Sequence, residues 1–226
     1  MEKKTVYEWT IITCFLLAAA WFFFPVGKPE SWSVLFAMRL VLPAIVLAVG
    51  SLWLRPKLML MGFAFCAIGD AMGVLGSFEG QMGGFALAHI CFICYFIKGI
   101  RQGKRQTVLF ALTTFLCLIP LGVAVWRVIP AISYLPIRIG CSIYALLLTG
   151  TVWTAIVRAF SVQIGRRLLS LMAAIGAVSF LFSDFILAWN KFPAHIPNAS
   201  LYIMSTYYGA LLLLFIGTCD FSEKKQ

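Results

Sequence analysis

The sequence predicts an all-α fold: a bundle of eight transmembrane helices with both termini cytoplasmic. Three observations lead there. Of the 226 residues, 62% are hydrophobic and 12% charged, and the mean hydropathy is +0.96, against roughly 45–50% apolar and about 25% charged in ordinary soluble domains. The apolar residues come in stretches of about 20, the length a helix needs to cross a hydrocarbon core about 30 Å thick, separated by short polar breaks. Finally, placing the N-terminus inside puts Lys3, Lys4, Arg55, Lys57, Lys98, Arg101, Lys104, Arg105, Arg158, Arg166, Arg167, Lys224 and Lys225 on one side, against Lys28, Arg127 and Lys191 on the other. Such a bias over short loops sets the orientation of a polytopic protein.

The spans follow in order. The first, 8–24, comes after Met1-Glu2-Lys3-Lys4 and ends at Phe24-Pro25 without a small-residue cleavage pattern, so it reads as a span rather than a signal peptide. The second, 32–53, stops against Arg55 and Lys57; the third, 58–77, carries Asp70 among Gly69, Gly73 and Gly76. The fourth, 83–100, carries His89 and closes at Lys98 and Arg101. The fifth, 107–126, ends at Trp126-Arg127, and the sixth, 133–157, ends at Arg158. The seventh, 168–189, follows Arg166-Arg167, and the eighth, 198–218, carries Tyr202, Tyr207 and Tyr208. No break could hold a soluble domain, so residues 1–226 are expected to form a single transmembrane domain.

Residue usage agrees with this layout. Trp9, Trp21, Trp32, Trp53, Trp126, Trp153 and Trp189 fall near span ends, where an interfacial belt wants them. The seven cysteines, at 14, 66, 91, 94, 117, 141 and 219, lie in or at the ends of spans, where Cys behaves as a small apolar residue. Cys91-x-x-Cys94 has metal-binding spacing, but with no second pair it reads as core packing. The net charge of +10 reflects loop asymmetry; a nucleic-acid partner would need a basic face on a soluble fold, and there is none.

Depth then sorts the polar residues. At about 1.5 Å of rise per residue, Asp70 is about 20 Å and Asp184 about 25 Å from the cytoplasmic edge, thirteen residues past Lys57 and seventeen past Arg167. Arg39, His89 and Arg138 lie about 9 to 12 Å below the opposite surface. Five ionisable groups from five spans thus share one layer, and an aspartate there is tolerable where it faces a polar pocket inside the bundle. Bland readings stand beside the functional ones. Arg39 and Arg138 can snorkel to the interface, His89 can be a hydrogen-bonded packing residue, and the tyrosines can be ordinary aromatic packing. The glycines around Asp70 suit small-residue helix packing, and Glu79 and His195 belong to outer loops. Asp70 and Asp184 are too short to reach water, so they must be paired, protonated or functional.

Gly69-Asp70, then Gly84-Phe85-Ala86-Leu87-Ala88-His89, then Ser183-Asp184-Phe185-Ile186-Leu187-Ala188-Trp189-Asn190-Lys191-Phe192, then Tyr207-Tyr208 appear in an order and spacing that resembles the lysoplasmalogenase family, the YhhN-like group of multi-pass membrane proteins. The likeness covers most of the chain, including a Lys28-Pro29 pair between the first two spans; Gly73 and Leu211 stand where the family often has Leu and Gln.

The resemblance implies a hydrolase that cleaves the vinyl ether bond of a lysoplasmalogen, releasing a long-chain aldehyde and a glycerophosphoethanolamine or glycerophosphocholine. Such a bond is cleaved by acid through an oxocarbenium ion, which asks for one protonated carboxyl as general acid and one ionised carboxylate, a division comparable to that in glycosidases. Asp70 and Asp184 are expected in those parts, with the assignment open, and His89 is expected to orient a carboxylate or water or to shuttle a proton. Arg39 and Arg138 are expected near the mouth as phosphate ligands, since an arginine touching an aspartate would keep it ionised. Ser183, Asn190, Tyr207 and Tyr208 complete the expected substrate-binding set. No cofactor is expected. Two histidines, one in a loop, also fall short of the three-His zinc set that alkaline ceramidases look to need, although the two aspartates and His89 are in principle a set that can hold a divalent ion. The expected partners are a lysophospholipid and the bilayer; brevity suggests a bacterial cytoplasmic membrane, with an internal eukaryotic membrane as the alternative.

The competing class is a proton-coupled transporter or lipid carrier using the same carboxylates. Transporters commonly show internal repeats with interrupted helices, and the stretches around Gly69-Asp70 and Ser183-Asp184 do not match well enough to be a duplication. A scaffold role leaves the polar layer unexplained.

Overall fold

The structure is a computed structural model that describes residues 2–24, 34–101 and 107–218. Lys28, Pro29, Trp32, Lys104, Arg105, Cys219, Lys224 and Lys225 lie outside the described residues. Eight helices are long and apolar enough to cross a membrane, and no strand occurs among the described residues. They are α1 (Glu2–Phe23), α2 (Val34–Leu54), α3 (Lys57–Val74), α4 (Phe78–Arg101), α5 (Thr107–Val123), α6 (Leu135–Ser161), α7 (Ile164–Lys191) and α8 (Ala199–Gly217). Beyond Val123, α5 continues as a π-helical turn, Ala124–Val128, and a 3₁₀ turn, Ile129–Ala131.

The largest departure from expectation lies between α3 and α4. Here α3 ends at Val74 and α4 begins at Phe78, five residues before the expected 83. Gly76 makes the turn with φ 78°, a conformation that side chains disfavour. The Ser77 hydroxyl then accepts the Gly80 N–H at 3.1 Å, capping α4. Glu79 therefore sits in the first turn of a helix, where an acid complements the exposed N–H groups, rather than in a loop. Likewise α6 runs on to Ser161, which leaves Trp153 inside the span; its indole N–H donates to Thr114 Oγ1 at 2.9 Å and ties α5 to α6.

Packing closes six helices into a ring in the order α2, α3, α4, α6, α7, α8 and back to α2. Helix α1 covers the seam of α2 and α8, and α5 leans on α6 from outside. Close approaches hold the ring: a Cβ on Gly84 would lie 2.7 Å from the Gly69 Cα, so α4 and α3 touch backbone to backbone beside Asp70. The half of the ring near the termini is filled by Phe63, Phe92 and Phe215, which meet edge-on or tilted at 5.8 and 5.9 Å and are fully buried. The half near the α3–α4 and α7–α8 connections is hollow.

Candidate active site

Asp70 lies one turn before the end of α3 and is 2% exposed; Asp184 lies two turns before the end of α7 and is 7% exposed. A buried carboxyl needs donors, and each receives one from a tyrosine on another helix, across the ring for Asp70 and from the adjacent helix for Asp184. The Tyr207 hydroxyl of α8 donates to Asp70 Oδ2 at 2.8 Å, and the Tyr144 hydroxyl of α6 donates to Asp184 Oδ2. The Tyr207 ring is braced by Phe85 and Phe180 at 5.7 and 5.3 Å between centroids. Among the described residues, nothing donates to the Oδ1 atom of either aspartate.

Both carboxyls line one chamber in the hollow half of the ring, of about 1050 Å³ with its open mouth counted. Its other polar walls are Gln81, Ser183, Asn190, Ser200 and Tyr207; Phe36, Phe85 and Met204 supply apolar surface. Ser183 donates to the Ile203 carbonyl at 3.0 Å, and Asn190 Oδ1 accepts the Ile196 N–H at 2.8 Å, tethering the α7–α8 loop across the mouth.

The remaining expected site residues sit elsewhere. His89 is fully buried beside the chamber without lining it. Thr151 donates to the Leu147 carbonyl at 3.0 Å, so its oxygen accepts from His89 Nδ1 at 2.9 Å, which puts the ring proton on Nδ1. The imidazole is wedged against Phe180 at 4.7 Å and Tyr144 at 5.6 Å. The Arg39 guanidinium lies 5.3 Å from the Trp21 ring of α1, whose π face draws it away from the chamber. Arg138 donates Nε to the Ile132 carbonyl at 2.8 Å, pinning the α5–α6 link. The Tyr208 hydroxyl donates to the Leu40 carbonyl at 3.0 Å, and its ring meets Phe15, Phe22 and Phe23 edge-on at the α1 seam. None of these three lines the chamber.

Tyr144 and Gln81 escaped the sequence reading. A tyrosine at mid-span needs a partner for its hydroxyl, a signal that pointed at Tyr144 without naming the acceptor. Gln81 was hidden by the late expected start of α4. Cys91 is buried while Cys94, one turn on along α4, is exposed. Among the described residues no three His, Cys, Asp or Glu side chains gather as a metal cage.

A polytopic helical membrane protein with an acidic chamber sunk into one end is the class that this fold and site define. The chain belongs to the YhhN family, whose sequence model matches residues 31–218. It is 30% identical over 215 residues to mouse lysoplasmalogenase TMEM86B, covering 91% of this chain and 83% of that protein. It is 27% identical over 221 residues to human lysoplasmalogenase TMEM86B, covering 94% and 87%. A lysoplasmalogenase of Mycobacterium tuberculosis (strain CDC 1551 / Oshkosh) is 27% identical over 202 residues, covering 89% and 66%. No solved structure matches the chain.

Proposed function

We propose that the protein hydrolyses the vinyl ether bond of lysoplasmalogens, with Asp70 and Asp184 as the acid–base pair. The observation that carries this is two carboxyls from separate helices facing one chamber, each held on one oxygen by a tyrosine and open on the other; relatives that bear the name lysoplasmalogenase support it.

In this reading one carboxyl gives its proton to the vinyl carbon remote from oxygen, leaving an oxocarbenium ion beside the second, ionised carboxylate. That carboxylate takes a proton from water as the water oxygen bonds to the cationic carbon. The second carboxyl, now protonated, gives its proton to the glycerol oxygen as the bond from that oxygen to the hemiacetal carbon breaks, the hemiacetal hydroxyl returns its proton to the first carboxylate, and the aldehyde leaves with both carboxyls in their starting states. Positioned acid–base groups typically supply about 10² to 10⁴-fold, and a carboxylate preorganised against the cation in a low-dielectric chamber adds electrostatic stabilisation. Tyr144 and Tyr207 aim the carboxyls, while Gln81, Ser183 and Asn190 serve substrate and water. His89 is assigned a positioning role, since its Nδ1 proton is committed to Thr151 and its ring backs Tyr144. Arg39, Arg138 and Tyr208 are assigned to the helix seams that their contacts serve.

A carrier would use the same carboxyls, but α3 and α7 run unbroken past Asp70 and Asp184, unlike the interrupted helices common at transporter sites. The proposed orientation keeps the termini cytoplasmic in a bacterial cytoplasmic membrane, with the chamber opening on the opposite face. It is supported by Lys3, Lys4, Arg55, Lys57, Lys98, Arg101, Arg158, Arg166 and Arg167 at one end of the bundle, against Arg127 and Lys191 at the other.

Purified protein in detergent, given a lysoplasmalogen, should release free aldehyde, and Asp70→Asn and Asp184→Asn should each fold and release none. A carrier makes no new molecule in detergent, so silence from the folded wild-type protein rejects the enzyme reading. Full activity in either variant removes that aspartate from the mechanism.

A further inference from the structure

A second cavity, of about 770 Å³ with its open side counted, lies between α4, α5, α6 and α7. It shares Gln81, Phe85, Asp184 and Leu187 with the polar chamber. Tyr144, whose hydroxyl holds the Asp184 carboxyl, lines this second cavity and not the first. The two spaces therefore meet at Asp184 and differ in character. Away from Gln81, Asp184 and Tyr144, the walls of the second are nearly all hydrocarbon, from residues such as Met82, Leu121, Val128 and Leu148.

Its outer wall is α5, the helix that leans on the ring from outside and turns Phe115, Ile119 and Trp126 outward. That wall is locally irregular. Pro120 removes one hydrogen bond from α5, and the regular helix gives way to the π turn at Ala124–Val128. Pro120, Ala124 and Val128 all face the cavity, so a single helix with an interrupted ladder stands between it and the surrounding lipid.

We infer that this cavity is the site of the substrate's hydrocarbon chain, with the headgroup in the polar chamber and the scissile bond at their junction beside Asp184. The inference rests on the vinyl ether reading. In a one-chain ether lipid the reacting bond sits where hydrocarbon meets glycerol, and here a hydrocarbon-lined space and a polar one meet at a carboxyl. Moving an alkyl chain from bilayer to protein changes its surroundings little, because lipid tails are as apolar as the wall. The cavity therefore fixes where the chain lies and which chain lengths put the bond at Asp184. Free energy of burial is a minor part of its role.

Two measurements test this on the full chain in detergent. In the first, a lysophosphatidylethanolamine with a diazirine near the end of a sixteen-carbon chain is photolysed with the wild-type protein. Adducts are expected on the α5, α6 and α7 residues that line the second cavity. Adducts spread over the lipid-facing surface overturn the proposal, and so does competition by a two-chain phospholipid as strong as by the lysolipid, since a bilayer lipid is then the occupant. In the second, kcat/KM is measured for lysoplasmalogens with eighteen-carbon and eight-carbon chains. Ala145→Phe, which fills the cavity from α6, should lower the long-to-short ratio at least tenfold. Ala124→Phe, on the α5 wall, repeats the measurement if the first variant is not monodisperse. An unchanged ratio, whether both rates persist or fall together, overturns the proposal. If the wild-type protein releases no aldehyde from either chain, the vinyl ether reading fails by itself, and the photolysis result still decides the chain site.

Discussion

Replacing Tyr207 by Phe isolates a single hydrogen bond in the chamber. The phenyl ring keeps its contacts with Phe85 and Phe180, so no cavity opens and only the 2.8 Å bond to Asp70 Oδ2 is lost. A hydrogen bond to a charged partner is worth about 1.5 to 3 kcal/mol. If that bond orients Asp70 for its part in the reaction, kcat/KM should fall by about 10- to 150-fold, at about 1.4 kcal/mol per factor of ten. Tyr208 is the internal comparison, one residue on, with a hydroxyl that donates to the Leu40 carbonyl at the seam with α2. Tyr208→Phe should leave kcat/KM within about threefold while lowering stability by about 1 kcal/mol, the usual worth of a neutral hydrogen bond. The assay is aldehyde release from lysoplasmalogen in detergent at saturating and limiting substrate, with thermal unfolding followed on the same preparations. Equal losses in the two variants, or none in Tyr207→Phe, would refute the assignment of Tyr207 to Asp70.

Other perturbations probe separate links. Thr151→Val leaves the His89 Nδ1 proton without its acceptor in a fully buried site and should cost about 1 to 3 kcal/mol of stability; an unchanged melting temperature would count against that hydrogen bond. Gly84→Val puts a side chain 2.7 Å from the α3 backbone at Gly69 and should abolish folded yield, whereas Gly83→Ala, with nothing within 4 Å of its new Cβ, should express normally. Size-exclusion profiles of the two variants check the contact between α3 and α4. A chelator should leave aldehyde release unchanged; loss of activity that a divalent ion restores would put a metal in the mechanism and reject the two-carboxyl reading.

The spans were legible because hydropathy is summed over about 20 residues and tolerates individual exceptions. The start of α4 was not, since Ser77-Phe78-Glu79-Gly80-Gln81 looks like a loop by composition and helical only through the Ser77 cap. Asp70 and Asp184 stood out because a short charged side chain at that depth has few places to go. Arg39 and Arg138 show what depth leaves undecided. Rise per residue gives height along the membrane normal, while the direction a side chain points depends on which helices become neighbours, and that comes from packing across the ring. Arg39 shares the height of the aspartates and turns to Trp21 of α1; Tyr208 follows Tyr207 and faces the α1 seam. Tyr144 was missed for the converse reason: its role depends on α6 lying beside α7, and no local pattern in the chain encodes that adjacency.

The division of the ring into a packed half and a hollow half follows from the same physics. Helices in lipid gain little from burying apolar surface against one another, so they hold together through close backbone approach and shape. Near the termini that is achieved with Phe63, Phe92 and Phe215, and with Arg55, which reaches the Phe215 carbonyl at 2.7 Å and Glu8 at 2.6 Å. With that end locked, the other can stay open at modest cost, and three of the polar groups it exposes each have one partner: Asp70 has Tyr207, Asp184 has Tyr144, and Ser183 has the Ile203 carbonyl. Each of these pairs crosses from one helix of the ring to its neighbour or across the ring. The bonds that aim the reactive groups are thus the bonds that keep the hollow end from splaying. Site and scaffold cannot be varied independently here: Tyr207→Phe removes a bond that serves both, so its unfolding temperature should fall along with its rate, and a loss of rate with no loss of stability would count against the scaffold role of that bond.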